Sequence, residues 1–207
     1  MRVIAPLDQA AAWAVQGQHL TVAVNLSARS LGDADLPDRV LAMLAARGLP
    51  SSALQFEITE EFLLADRTQA RAVLTKLRST GIQISIDDYG TGYSTLPYLR
   101  DLPIDELKLD RSFVFPIADD ARAAALVAST ISLARSLGLR IVAEGVETLT
   151  AFTELARLGC DQAQGYFICR PVPAAELDHW LTGGRTGFDL TDFPRLQPPT
   201  ETKPRRS

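Results

Sequence analysis

Residues 81–92 read GIQISIDDYGTG, and the reading of that stretch decides the fold. Ile84 and Ile86 alternate with Ser85 and Asp87, the period of two that gives a strand one apolar and one polar face. The pattern stops at Asp87, and Asp-Asp-Tyr-Gly then offers turn-forming residues, so a strand over 82–87 gives way to a loop that begins with two adjacent carboxylates. Just upstream, residues 67–79 carry helical spacing and are followed by Gly81; just downstream, residues 94–100 predict a short helix. A strand set between helices is the repeating unit of a parallel sheet.

The same unit recurs in both directions. Toward the N-terminus the spacing predicts a strand at 54–59, a helix at 35–47 with Pro37 in its first turn and Gly48 past its end, and a strand at 20–26. A helical opening over 2–15 precedes them, with Pro6 as a break or an early turn. Toward the C-terminus come a strand at 106–109, a helix at 121–137 closed by Gly138 and a strand at 140–144. A helix at 149–158 closed by Gly159, a strand at 162–167 and a last helix at 174–181 complete the series. Six strand–helix units in a row imply an α/β fold, a parallel sheet covered by helices.

The polar residues fall in one phase. Val22, Val24 and Leu26 share a face, as do Leu54, Phe56 and Ile58, and Leu107 and Leu109; these faces must meet the helices. The opposite faces point to the interior of a closed sheet and carry Asn25, Glu57, Asp87, Lys108, Glu144 and Gln164, each near the C-terminal end of its strand. In a (β/α)₈ barrel that rim is where active sites are built. One acid at a strand end is commonly a helix cap or a salt-bridge partner. Six polar groups converging on one interior rim call for a shared site, because buried charge is costly unless paired or bound to metal.

Three carboxylates and an amide (Glu57, Asp87, Glu144, Asn25) form a hard-oxygen set suited to Mg²⁺ or Mn²⁺. Asp88 adds a carboxylate beside Asp87, and both serve one site only where the strand turns into its loop; Gly90-Thr-Gly92 supplies that turn. Alone, Asp87 to Gly90 is equally readable as a plain polar turn. Beside the other five residues it favours metal-assisted hydrolysis of a phosphodiester, with Lys108 positioning a water or offsetting phosphoryl charge.

Composition narrows the classes. A formal net charge of −4 argues against binding a nucleic-acid polymer, while leaving room for a nucleotide held through metal ions. No apolar run reaches the roughly 18 residues of a membrane span, and no secretory signal pattern opens the chain. Cys160 and Cys169 read as ordinary thiols of a cytoplasmic protein, and His19 and His179 lack metal-ligand spacing. From Gly183 onward the Gly- and Pro-rich composition predicts a disordered or linker tail over 183–207, leaving 1–182 as the domain.

The motifs VNLSARSL (24–31), FEITE (56–60), IDDYGTGYSTLPYL (86–99), LKLDRSFV (107–114), VAEGVET (142–148) and QGYFICRPV (164–172) resemble, in order, those of EAL domains, over nearly all of 1–182. The resemblance implies a (β/α)₈ TIM-like barrel that hydrolyses cyclic di-GMP to linear pGpG with two divalent cations, Mg²⁺ or Mn²⁺. By motif position it implies that Asn25, Glu57, Asp87 and Asp88 are metal ligands and that Glu144 is a further ligand or acts on the attacking water. Lys108 is implied to hold that water, and Gln164 to contact the substrate. Glu60 matches the residue that anchors the loop from Gly90 to Ser94, through which family members couple dimerisation to activity; a homodimer is therefore implied for the complete domain. Tyr89 stands where Phe is usual, CRPV replaces SRPL, and Phe56 takes an often aliphatic place.

The family also opens with two further strands, the second carrying the Glu-Ala-Leu signature, and no counterpart precedes Asn25. The expectation is a barrel missing its first two strands, either a piece of a longer protein or a gene remnant, and inactive as it stands. The longer protein is expected to be cytoplasmic or tethered to a membrane through upstream domains. A degenerate EAL domain that binds cyclic di-GMP or a protein without hydrolysis is the alternative, and an unrelated barrel lyase a more distant one.

Overall fold

The computed structural model describes residues 3–60, 67–92 and 96–181; the expected tail 183–207, and Ser94 in the expected loop, lie outside the described residues. Helix α1 (Ile4–Val15) accommodates Pro6 in its first turn, where the missing N–H costs nothing, and it buries Leu7, Ala10 and Trp13. Strands and helices then alternate: β1 (Val22–Asn25), α2 (Ala28–Leu31), α3 (Leu36–Ala45), β2 (Leu54–Thr59), α4 (Arg67–Ser79), β3 (Gln83–Tyr89), α5 (Leu96–Asp101), β4 (Glu106–Leu109). The series closes with α6 (Arg111–Val114), α7 (Ala121–Ser136), β5 (Arg140–Ala143), α8 (Leu149–Leu158), β6 (Gln162–Ala163) and α9 (Ala174–Leu181). No helix among the described residues is long and apolar enough to cross a membrane.

The six strands form one sheet in chain order, every neighbouring pair parallel, which is a curled half-barrel with β1 and β6 as its edges. The alternation fixes its faces. Leu54, Phe56 and Ile58 on β2, Ile84 and Ile86 on β3, and Leu107 and Leu109 on β4 are buried against the helical layer, which contributes Leu74, Leu77, Val127, Ile131 and Leu155. Each such side chain contributes about 1.5–3 kcal/mol on burial. Aspartates at the strand starts add local register: Asp105 Oδ2 accepts from the Ile84 N–H at 3.0 Å and Asp161 Oδ2 from the Ile141 N–H at 2.9 Å. Side-chain caps then turn the chain at the functional end, with Ser27 opening α2, Asp110 opening α6 and Thr148 opening α8.

Strand ends differ from the sequence expectation in both directions. β3 continues to Tyr89 because it pairs with Leu109 across a bulge, and β1 is shorter than residues 20–26. The strand expected over 162–167 ends at Ala163. Beyond it the Ile168 and Cys169 N–H groups fold back to the Gly165 carbonyl, at 3.0 and 3.1 Å. Gly165 packs against the Val146 backbone, where a Cβ would lie 2.2 Å from the Val146 oxygen. Gly165→Ala is therefore expected to cost about 1–3 kcal/mol or more in urea unfolding. Gly32→Ala, whose nearest contact would be 3.6 Å at a φ of −75°, should cost less than about 0.5 kcal/mol. Equal costs would mean that the close approach to Val146 does not constrain the fold.

Candidate active site

Strand alternation puts Glu57, Asp87 and Lys108 on the inner face, and Glu144 follows directly on β5. Lys108 lies at their centre. Its Nζ is 2.7 Å from Glu57 Oε1, 3.0 Å from Asp87 Oδ1 and 2.6 Å from Glu144 Oε1. The lysine side chain is 8% exposed, so these carboxylates neutralise a charge that is largely shielded from water. Burial works against the ammonium, but the hydrogen bonds it donates to Glu144 and Glu57 outweigh this and hold the Lys108 pKa above the ordinary lysine range. Glu144 is itself raised, by burial first; the hydrogen bond from Lys108 opposes this, while the charges of Asp87 and Glu57 add to it.

Asp88 joins the cluster through its backbone. Its φ of +53° makes it the non-glycine residue with left-handed geometry among the described residues, at the point where β3 bulges against β4. That turn cancels the strand alternation, so consecutive carboxylates reach one place: oxygens of Asp87, Asp88 and Glu144 all lie within 4.8 Å of one another. Burial raises the Asp88 pKa, with the charges of Asp87 and Asp110 adding to it. Four carboxylates around one ammonium leave three negative charges when all are ionised, and three of the acids can offer oxygens to a common ion. That donor set fits a hard divalent cation.

The two amides stand apart from this centre. Asn25 ends edge strand β1, in register with Glu57, and is exposed. Gln164 follows edge strand β6; its N–H donates to the Ala143 carbonyl at 2.8 Å and its side chain is exposed. Glu60 sits below the loop after β3, 4% exposed, and its Oε2 accepts from the Gly90 and Gly92 N–H groups at 3.3 and 3.2 Å. A Cβ on Gly92 would lie 3.0 Å from the Glu60 carboxyl carbon, so glycine lets the loop backbone close onto the acid. Sequence reasoning assigned no role to Asp110, which acts on Asp88 by its charge, or to Glu106, although the phase of β4 places Glu106 inward with Lys108.

A family model described as "EAL domain" matches residues 2–171. The chain belongs to the EAL domain family. Cyclic di-GMP phosphodiesterase NbdA of Pseudomonas aeruginosa is 43% identical over 168 residues, which cover 81% of this chain and 22% of that protein. Two solved structures superpose well. "PaMucR Phosphodiesterase, c-di-GMP complex" has a TM-score of 0.78 at 42% identity, covering 84% of this chain and 70% of that one. The EAL domain of Mycobacterium smegmatis DcpA gives 0.84 at 35%, covering 89% and 83%. The chain spans 22%, 30% and 23% of the first three curated relatives, less than a third of their length.

The left-handed turn in this EAL domain makes a separable prediction. Asp88→Gly removes both an unfavourable φ and a carboxylate from a negative cluster. The metal-free protein is expected to keep its stability or gain up to about 1 kcal/mol. Mn²⁺ binding followed by electron paramagnetic resonance should weaken at least about tenfold. Unchanged Mn²⁺ affinity would remove Asp88 from the ligand set.

Proposed function

We propose that this site, within the complete domain, hydrolyses cyclic di-GMP to linear pGpG with two divalent cations, Mg²⁺ or Mn²⁺. The observation that carries the reading is the meeting of Asp87, Asp88 and Glu144 oxygens within 4.8 Å, beside a lysine held by Glu57, Asp87 and Glu144, in a member of the EAL family. Asn25, Glu57, Asp87, Asp88 and Glu144 are the proposed ligands. Charge supports two ions: four carboxylates, one ammonium and one phosphodiester leave four negative charges for two divalent cations to balance. Bound there, such cations offset phosphoryl charge and lower the pKa of a bound water.

The chain's own groups take the remaining roles. Lys108, set among Glu57, Asp87 and Glu144, is the group that holds the attacking water. Glu144, 2.6 Å from Lys108, either completes the ligand set or receives a proton from that water. Gln164 contacts the substrate, and Glu60 fixes the loop that begins at Gly90. We place the domain over 1–182 with a disordered or linker tail over 183–207, in the cytoplasm, and infer a homodimer of the complete domain through the loop from Gly90 to Ser94.

Turnover of cyclic di-GMP with Mn²⁺ by the complete domain, followed by chromatography of pGpG, tests the reading, and EDTA should abolish it. Asp87→Asn is expected to lower the rate by about 10²-fold or more, since it weakens a ligand central to the cluster. Near-normal hydrolysis by that variant would sink the metal assignment. Tight binding of cyclic di-GMP by the parent protein without turnover would instead favour a receptor. Glu60→Ala should speed hydrogen exchange at Gly90 and Gly92 and reduce dimer formation in sedimentation; unchanged exchange would show that Glu60 does not hold the loop.

A further inference from the structure

Beneath the charged cluster lies a second set of inward-facing polar residues that the proposed reaction does not use. Glu106 is a carboxylate 4% exposed, two residues before Lys108 on the same face of β4. Its Oε1 accepts from Gln55 Nε2 at 2.6 Å, and its Oε2 lies 3.2 Å from an Arg140 guanidinium nitrogen. That same nitrogen donates to Gln83 Oε1 at 2.9 Å. Gln55, Gln83, Glu106 and Arg140 come from β2, β3, β4 and β5, so one polar belt ties four consecutive strands.

Two of its links skip a strand. The bond from Gln55 to Glu106 passes β3, and the bond from Arg140 to Gln83 passes β4. The inward residue of β3 in that region is the small, fully buried Ser85, in register with both Glu57 and Glu106. Backbone ladders join only adjacent strands, so β2 and β4 are held to one another only indirectly by them. A side-chain bond across β3 fixes their offset directly. That offset matters two residues further on, where an ammonium from β4 must meet a carboxylate from β2 at 2.7 Å.

We propose that Glu106 is a positioning residue for Lys108: the belt it anchors holds β2, β4 and β5 at the offset that brings one ammonium to Glu57, Asp87 and Glu144. The proposal deepens the phosphodiesterase reading and rests on it for what the ammonium serves. Glu106 touches neither substrate nor metal in this role. It acts through Lys108.

The test compares Glu106→Gln with Arg140→Gln in the full chain. Both loosen the belt, but one removes a negative charge and the other a positive charge. The first readout is the ¹H–¹⁵N signal of the Lys108 ammonium in metal-free protein, assigned with Lys108→Met and visible while hydrogen bonds immobilise the group. The signal is expected in the parent and lost in both variants, under conditions where circular dichroism shows them folded. Arg140 is partly exposed, so its variant decides the matter if Glu106→Gln does not fold. Persistence of the signal overturns the proposal. The second readout is Mn²⁺ affinity, expected to weaken about tenfold in both variants, as for other residues that orient a metal site from outside it. Opposite shifts, weaker for Glu106→Gln and tighter for Arg140→Gln, would mean a through-space charge effect and also overturn it. A parent protein that binds no Mn²⁺ would sink the phosphodiesterase reading, while the ammonium signal would still decide the role of Glu106.

Discussion

Taking Glu57, Asp87 and Glu144 out of water together costs several kcal/mol per charge, and the fold offsets this by delivering Lys108 to within 3.0 Å of all three. A single ammonium reaches three carboxylates only if β2, β3, β4 and β5 are parallel, adjacent and correctly staggered. The helices supply the first two conditions, because each crossover returns the chain to the same end of the sheet. The buried outer faces of β2, β3 and β4 supply much of the third, since a one-residue slip would turn Phe56, Ile84 or Leu107 into the interior and its polar neighbour into the helices.

Neutrality at this centre is incomplete, and that incompleteness gives it chemistry. A structural salt bridge would balance its charges. Here a fourth carboxylate, Asp88, is added by a backbone conformation that costs on the order of 1 kcal/mol, in a place where burial and the Asp87 and Asp110 charges already disfavour it. Stability alone would select against both features. A protein that keeps them holds a negative cluster ready for cations, with Glu60 and Gly92 bracing the loop in which the strain sits.

Much of this was legible in the sequence because it follows from period and phase. The bounds of 54–59, 67–79, 106–109, 149–158 and 174–181 coincide with β2, α4, β4, α8 and α9, segments with clear alternation or with helical spacing. The inward set from Asn25 to Gln164 was readable as one face for the same reason. The four-residue helices α2 and α6 are too short to show a period and were passed over; their signal was the cap residue, Ser27 or Asp110. β6 was overextended because Gln162, Gln164 and Tyr166 continue a plausible alternation, whereas the contact of Gly165 with Val146 is a tertiary fact. Glu106 was legible as inward-facing, but its partners were not. Gln55 and Arg140 lie on non-adjacent or later strands, and pairing them requires the register that alternation leaves open.

The division of labour across the sheet carries one further consequence. All the charged groups of the centre come from β2 to β5 or the residues just after them, whereas the two amides, Asn25 and Gln164, lie at the edge strands β1 and β6. The charges therefore assemble from contacts within four strands, tied to one another by ladders and by the belt below. The amides depend on what flanks those edges. An ion pair or a metal–carboxylate contact strengthens several-fold as the effective dielectric falls from that of water toward that of a protein interior. Whatever pairs with β1 and β6 would thus do two things at once: enclose the exposed amides, and remove water from a cluster whose geometry is already set. Geometry and electrostatic strength are separable in this architecture: the central strands fix the first, and pairing at the edges would raise the second.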